Sequence, residues 1–384
     1  MTSPVEQIRA EIEKLGVIPF ARFMELALYC PLCGYYEKKE DTPGKRGDFY
    51  TSVSVGPLFG ELLAFQFAEW FEQSAVCGPQ SKLAHATAGD WAIVEAGAHD
   101  GQLARDILTW LQRQRPALFA RLAYRIIETS RPRQAWQRET LAPFAEMVHW
   151  HNHLPRAATQ NSGPRTAAFT VVFSNELLDA FPVHRIGWDA AAKRWFEWGV
   201  TLRGEDLIWQ RFGDPMHGSR VTLHAPPELL SALPDGFTTE VCPAAESWWR
   251  DAAASLQSGK LVTFDYGLEA EDYFAPVRAN GTLRAYRHHR LADDVLADPG
   301  QQDLTAHVNF TALKLAGESA GCKTEAIASQ AQFLTRIAAR AWQPGAFFGE
   351  WTRDRTRQFQ TLTHPEFLGR AFKVLIQSRE ERSS

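Results

Sequence analysis

The run Glu95-Ala96-Gly97-Ala98-His99-Asp100-Gly101-Gln102-Leu103 holds the residues best suited to chemistry in this chain. It follows an apolar stretch, Trp91-Ala92-Ile93-Val94, and leads into an amphipathic pattern from Leu103 to Leu111. A strand, a turn with glycines at 97 and 101, and a helix start make a cradle for a nucleotide-type ligand. Glycines let backbone N–H groups come close to a ligand, and the helix end adds a positive dipole. The acid before the turn separates two readings. A dehydrogenase turn must hold a pyrophosphate, which is an anion. Glu95 instead suits a ligand with a cationic amino acid tail, such as S-adenosylmethionine. A Gly-x-x-x-Gly turn also occurs in plain strand-to-helix connections, so other residues must decide.

Acids recur where further strands are expected to end. Tyr124-Arg125-Ile126-Ile127-Glu128 puts a carboxylate where ribose hydroxyls are commonly bound. It lies 31 residues after Gly97, later than the ~20 of a dinucleotide fingerprint. The alternative is a solvated strand-end acid. Thr170-Val171-Val172-Phe173 runs into Ser174-Asn175-Glu176-Leu177-Leu178-Asp179. Asn175, Glu176 and Asp179 could orient an amine or guanidinium for attack on an activated methyl. They could equally be first-turn residues that stabilise a helix. His307 is a candidate base or substrate-orienting group, against a structural histidine, and Asp303 and Thr305 are candidate caps for a helix after them.

The bulk of the chain narrows the class. It has 384 residues, 45% apolar and 22% charged, with a net charge of −4. That suits one large or two ordinary globular domains and gives no basic field for nucleic acid or anionic lipid. No apolar run reaches the ~20 residues of a membrane span. Met1 to Leu15 carries Glu6, Glu11 and Glu13 without an apolar core, so it reads as neither secretion signal nor transit peptide. A cytoplasmic location is expected. Five scattered cysteines suggest unbridged thiols in a reducing compartment. Cys30-Pro31-Leu32-Cys33 has C-x-x-C spacing, but no second pair follows for zinc. Nor does it open the helix of a thioredoxin-like unit.

These residues need elements to hold them. Helices are expected at 4–15, 19–28, 57–73, 102–114, 131–142, 243–257, 305–320 and 330–341, from apolar residues at helical spacing. Strands are expected at 91–95, 123–128, 146–150, 169–174, 260–265 and 372–377. The alternation from residue 91 implies a mostly parallel sheet with helices on its faces. Residues 183–223 break that rhythm with short strands rich in tryptophan, and 74–89 reads as a surface linker.

Several of these stretches, in order, resemble the MidA-like S-adenosylmethionine-dependent methyltransferase family over nearly the whole chain. They begin with Phe23 to Tyr29, Gly34-Tyr35-Tyr36, Gly47 to Ser52 and Gly56 to Gly60. Glu95 to Leu103, Ser174 to Pro182, Asp265-Tyr266-Gly267, Gly281 to Tyr286 and Asp303 to Phe310 follow. The resemblance implies an α/β, Rossmann-like class I methyltransferase with an N-terminal helical cap and an inserted β-rich subdomain. On that reading the cap is 1–75, the core 86–182 and 240–384, and the insertion 183–239. The cofactor is S-adenosyl-L-methionine, with Glu95 and Gly97 in its loop beside Gly101, and Glu128 on its ribose. Asp48, Phe49, Thr51 and Ser52 line its pocket from the cap. Asn175, Glu176 and Asp179 face the methyl group.

A mitochondrial member of the family assembles respiratory complex I and methylates a protein arginine. The resemblance therefore implies a protein substrate, with a respiratory-complex subunit as the candidate. Neither nucleic acid nor membrane insertion is expected, and oligomeric state is not legible. Rival readings are a non-catalytic assembly protein, a small-molecule methyltransferase and a dehydrogenase. Two departures stand out. Ala98 and His99 replace a proline and a glycine of the family's Glu-x-Gly-Pro-Gly-x-Gly loop. The family also has an acidic link where Cys30 and Cys33 stand.

Overall fold

The computed structural model describes residues 3–31, 33–38, 51–77, 91–154, 169–213, 223–225, 228, 232–287 and 290–380. The chain forms two compact units. One, the sheet unit, comprises Thr51–Leu177, Trp249–Asp265 and Ala316–Ser384. The other, the N-terminal unit, comprises Met1–Tyr50, Leu178–Trp248 and Tyr266–Leu315.

The sheet unit is built on strands β1 (Trp91–Ala96), β2 (Leu122–Ile127), β3 (Val148–His151), β4 (Phe169–Asn175), β5 (Gly259–Leu268), β6 (Lys323–Ser329) and β7 (Phe372–Arg379). The last three residues of β5 belong to the N-terminal unit. Their order is β6-β7-β5-β4-β1-β2-β3. Strands β5, β4, β1, β2 and β3 pair in parallel, while β6 runs antiparallel to β7. Every residue of β1 is buried. That is what a strand covered on both faces requires, and it explains why 91–96 reads as an unbroken apolar run. The order reverses between β1 and β4, which opens a crevice at their carboxyl ends.

Helices 102–114 and 131–140 connect the first strands. The first buries Leu103, Ile107, Leu108 and Leu111 on one face. Helix Leu58–Cys77 is apolar nearly all round and contributes Phe59 to the core, where it meets Phe264 edge-on at 5.5 Å. Phe264 also packs on Phe333, with ring centroids 5.4 Å apart. Among the longer elements of this unit, strand 323–329, whose residues are mostly half-exposed, and the polar helix 353–363 escaped the sequence patterns.

In the N-terminal unit, helices Pro4–Leu15 and Phe20–Tyr29 share a core with Val183, Val200, Leu283 and Leu304. Strands 184–189, 194–203, 206–212 and 238–241 form an antiparallel sheet. The division differs from the cap, core and insertion expected from sequence. Residues 266–315, expected in the core, belong here because strand 303–305 pairs with 284–287 inside this unit. Residues 51–75, expected in the cap, belong to the sheet unit. The helix expected from 305 begins at Phe310 instead, capped by the Asn309 side chain, which accepts from the Ala312 N–H at 3.1 Å. Asp303 and Thr305, read as caps, are strand residues.

Phe264 is fully buried, so Phe264→Ala leaves a cavity among aromatic rings. It should cost about 3–5 kcal/mol. In urea unfolding the midpoint should fall while the slope stays unchanged.

Candidate functional site at the sheet's switch point

The crevice is lined by the residues that end β1, β2 and β4. Glu95 lies near the end of β1 and is 2% exposed. It is opposite Ile126 of β2, so Tyr124 is its diagonal neighbour on the same face. The Tyr124 hydroxyl donates to Glu95 Oε2 at 2.7 Å. Burial pushes the Glu95 carboxyl up to about 8, and the Tyr124 hydrogen bond only partly offsets this. No sequence motif marks Tyr124, whose contact depends on the register of β1 against β2.

The turn that follows is held in left-handed backbone. Gly97 has φ 74°, and a Cβ there would lie 2.8 Å from Leu177 Cδ1. Gly101 has φ 86° and starts helix 102–114. His99 takes the left-handed region too, at φ 47°. Such a conformation costs a non-glycine residue ~1–2 kcal/mol. It is secured by Gln137, whose Nε2 donates to the His99 carbonyl at 3.0 Å. The same amide nitrogen reaches Glu128 Oε2 at 3.2 Å, and its oxygen accepts from Trp150 Nε1 at 2.9 Å. Gln137 thus ties the turn to Glu128, and no motif revealed it. Glu128 is 6% exposed, and its Oε1 accepts from the Ser130 N–H at 2.8 Å.

At the end of β4, Glu176 is another left-handed non-glycine, at φ 51°. Its N–H donates to the Phe264 carbonyl at 2.9 Å, and Asp265 Oδ2 accepts from the next N–H, that of Leu177. Glu176 Oε1 accepts from Asn175 Nδ2 at 3.0 Å and from the Ser52 N–H at 3.3 Å. Among the described residues, Asn175 Oδ1 is buried without a hydrogen-bond partner. Thr51 caps the short helix Ser52–Val55, and Ser52 Oγ contacts Gln330 Oε1 at 3.1 Å.

Three clusters therefore form inside the sheet unit: Glu95 with Tyr124, Glu128 with Gln137 and His99, and Asn175 with Glu176 and Ser52. Asp48 and Phe49 lie outside the described residues. Asp179 and His307 belong to the N-terminal unit. There the Asp179 carbonyl accepts from the Ala306 N–H at 2.9 Å, and the His307 N–H donates to Thr282 Oγ1 at 3.0 Å. Burial, then the charges of Arg284 and Arg278, push the His307 imidazole down to about 4, so it is neutral.

The fit to S-adenosylmethionine can be read from the chain itself. Gly97 and Gly101 give the turn its left-handed backbone, a helix starts directly after it, and two buried acids stand at the ends of adjoining strands. The fold is that of the Rossmann-like S-adenosylmethionine-dependent methyltransferases. A model of the S-adenosyl-L-methionine-dependent methyltransferase family matches residues 62–328, and the chain belongs to that family. S-adenosyl-L-methionine is its cofactor. A Burkholderia thailandensis superfamily member assigned as a methyl transferase, solved bound to S-adenosyl-homocysteine, is 31% identical. The match covers 99% of this chain and 93% of that one, with a TM-score of 0.77. A Drosophila melanogaster relative named protein arginine methyltransferase NDUFAF7 homolog, mitochondrial, is 28% identical over 97% of this chain and 84% of its own. The Homo sapiens relative, protein arginine methyltransferase NDUFAF7, mitochondrial, is 25% identical over 82% of this chain and 68% of its own. The cytoplasmic location expected from the N-terminus is overturned by these relatives, which are named as mitochondrial proteins.

The Glu95 shift sets a pH signature. A carboxyl raised from its ordinary 4.5 to about 8 stabilises the fold fully below about pH 4.5 and loses that contribution as pH rises through 8. Glu95→Gln keeps an acceptor for Tyr124 and does not ionise. The difference in urea midpoint between variant and native ligand-free chains should grow in the variant's favour from pH 5 to 8.5. A constant difference would mean that Glu95 is ionised throughout.

Proposed function

We propose that this methyltransferase acts on a guanidinium nitrogen of an arginine in a protein. The observation that carries the reading is the oxygen cluster at the end of β4. Asn175 Oδ1 is buried and unpartnered, and Glu176 offers its carboxylate beside it. A guanidinium is the complementary group: it has five N–H donors, no acceptor, and a charge that persists at any working pH. Carboxylates hold it bidentately and fix which nitrogen faces an incoming carbon. The names of the curated relatives support the same acceptor.

In this reading Glu95, Gly97 and Gly101 hold the amino acid end of the cofactor, and Glu128 accepts from its ribose hydroxyls. Thr51 and Ser52 close the pocket, with Asp48 and Phe49 assigned to it by resemblance. The bound cofactor supplies a methyl group already activated for displacement. The chain's task is to bind, align and exclude water. Glu176 orients the acceptor, and its strained backbone, fixed through the Phe264 carbonyl, sets the aim of the carboxylate. Asp179 is assigned to the acceptor by resemblance alone, and the neutral His307 stands as a candidate orienting group of the N-terminal unit. The resemblance adds a subunit of a respiratory complex as the acceptor protein. His99 departs from the family's glycine loop, and that departure is what would favour the non-catalytic alternative. Its backbone keeps the left-handed geometry of a glycine, which supports a working loop.

Two substitutions separate binding from transfer. Glu176→Gln should leave the S-adenosylhomocysteine affinity within about twofold and lower turnover about 100-fold or more. Undiminished methylation in that variant removes Glu176 from the reaction. Glu128→Ala should weaken S-adenosylhomocysteine binding about 10- to 100-fold by calorimetry, the loss of one or two charge-assisted hydrogen bonds. Unchanged affinity would leave Glu128 as a structural anchor for Ser130, Gln137 and Arg133.

A further inference from the structure

Helix Phe20–Tyr29 ends at Cys30, and the chain folds back at once. The N–H groups of Cys33 and Gly34 both donate to the Cys30 carbonyl, at 3.2 and 2.7 Å. Gly34 makes this possible, since a Cβ there would lie 2.6 Å from both the Cys30 nitrogen and the Leu28 carbonyl oxygen. The fold-back brings the two sulfurs to 2.7 Å, while Cys30 Sγ also accepts from Gln7 Nε2 at 3.0 Å. The backbone turn sets the two side chains beside each other, and both residues stand as thiols.

We propose that Cys30 and Cys33 form a reversible clasp, closed by exchange with a low-molecular-weight disulfide such as oxidised glutathione. The sulfur of Cys33, the more exposed of the two, attacks the glutathione disulfide as its thiolate. A mixed disulfide forms and one glutathione leaves as a thiolate. The Cys30 sulfur then attacks Cys33 Sγ, which forms the internal bond and releases the second glutathione. Both thiol protons end on the departing glutathiones, so one disulfide is exchanged for another. A disulfide is a strong oxidant when its reduced form is stabilised. Here burial, then the Cys30 thiol, push the Cys33 thiol up to about 11, and the helix end nearby is its negative one. The pair therefore lacks the thiolate stabilisation of an exchange catalyst and is suited to a stable closed state. The clasp would fix the turn that carries Tyr36, whose hydroxyl donates to Asp303 Oδ1 at 2.7 Å, and Lys38, whose Nζ donates to the Gly300 carbonyl at 2.6 Å.

The full chain is equilibrated in glutathione buffers of stepped reduced-to-oxidised ratio, acid-quenched, alkylated and mapped by mass spectrometry. The peptide spanning both cysteines should lose two hydrogen atoms, be half-oxidised while reduced glutathione still predominates, and recover with dithiothreitol. The oxidised chain should melt at a higher temperature than the reduced one, and Cys33→Ser should abolish that gap. Full alkylation of both sulfurs after oxidised glutathione alone would overturn the proposal. So would a mixed disulfide that never closes, a bridge to Cys242 or Cys322, or equal melting temperatures.

Discussion

A carboxyl group buried near the end of a central parallel strand is the constraint around which the site is arranged. Low-dielectric burial disfavours the ionised form of Glu95, and an apolar residue would cost less at that place. The Tyr124 hydroxyl satisfies one oxygen and arrives from the same face of the adjacent strand. A cation brought to this carboxyl would favour its ionised form, so ligand charge and the proton on Glu95 are thermodynamically linked. The acid is what makes the cradle chemically distinct from an ordinary strand-to-helix turn.

The turn beyond it needs a backbone path that L-residues avoid. Gly97 is required twice, by its positive φ and by the Leu177 side chain where a Cβ would point. His99 has no such excuse, and its conformation is secured from outside by Gln137. One amide thereby stabilises the turn and orients Glu128. A substitution at Gln137 would thus be felt at two strand ends, although Gln137 is itself fully buried beneath them.

The legible parts of the sequence were those where periodicity and burial agree. Helix 102–114 was expected with its observed bounds, because its apolar stripe is clean and a glycine precedes it. Helix 4–15 was legible for the same reason, with a capping box at Ser3 and Glu6. Strand 323–329 was not, because its mostly half-exposed residues, Lys-Thr-Glu-Ala-Ile-Ala-Ser, carry no apolar alternation and it is held by pairing with β7. Helix 353–363 buries Leu362 alone, so no stripe announces it. In the site, acids at strand ends were found because position along a strand is a local property. Tyr124 and Gln137 were missed because their roles depend on which strand or turn lies beside them. That is a fact of topology.

The division into units bears on the most specific motif of all. Ser174 to Leu177 ends β4 and opens the left-handed turn, whereas Leu178 onward belongs to the N-terminal unit. One unbroken stretch of sequence therefore answers to two cores. The first half is fixed by β5, through the Phe264 carbonyl and the Asp265 carboxylate, and the second by the Ala306 N–H. Leu177 has both duties at the junction. Its N–H is held by Asp265, and its side chain occupies the space that Gly97 leaves open. A larger residue at 97 would press on the Leu177 side chain, next in sequence to Glu176. The glycine turn after β1 and the acid proposed to face the acceptor thus adjoin through Leu177, although 79 residues separate Gly97 from Glu176.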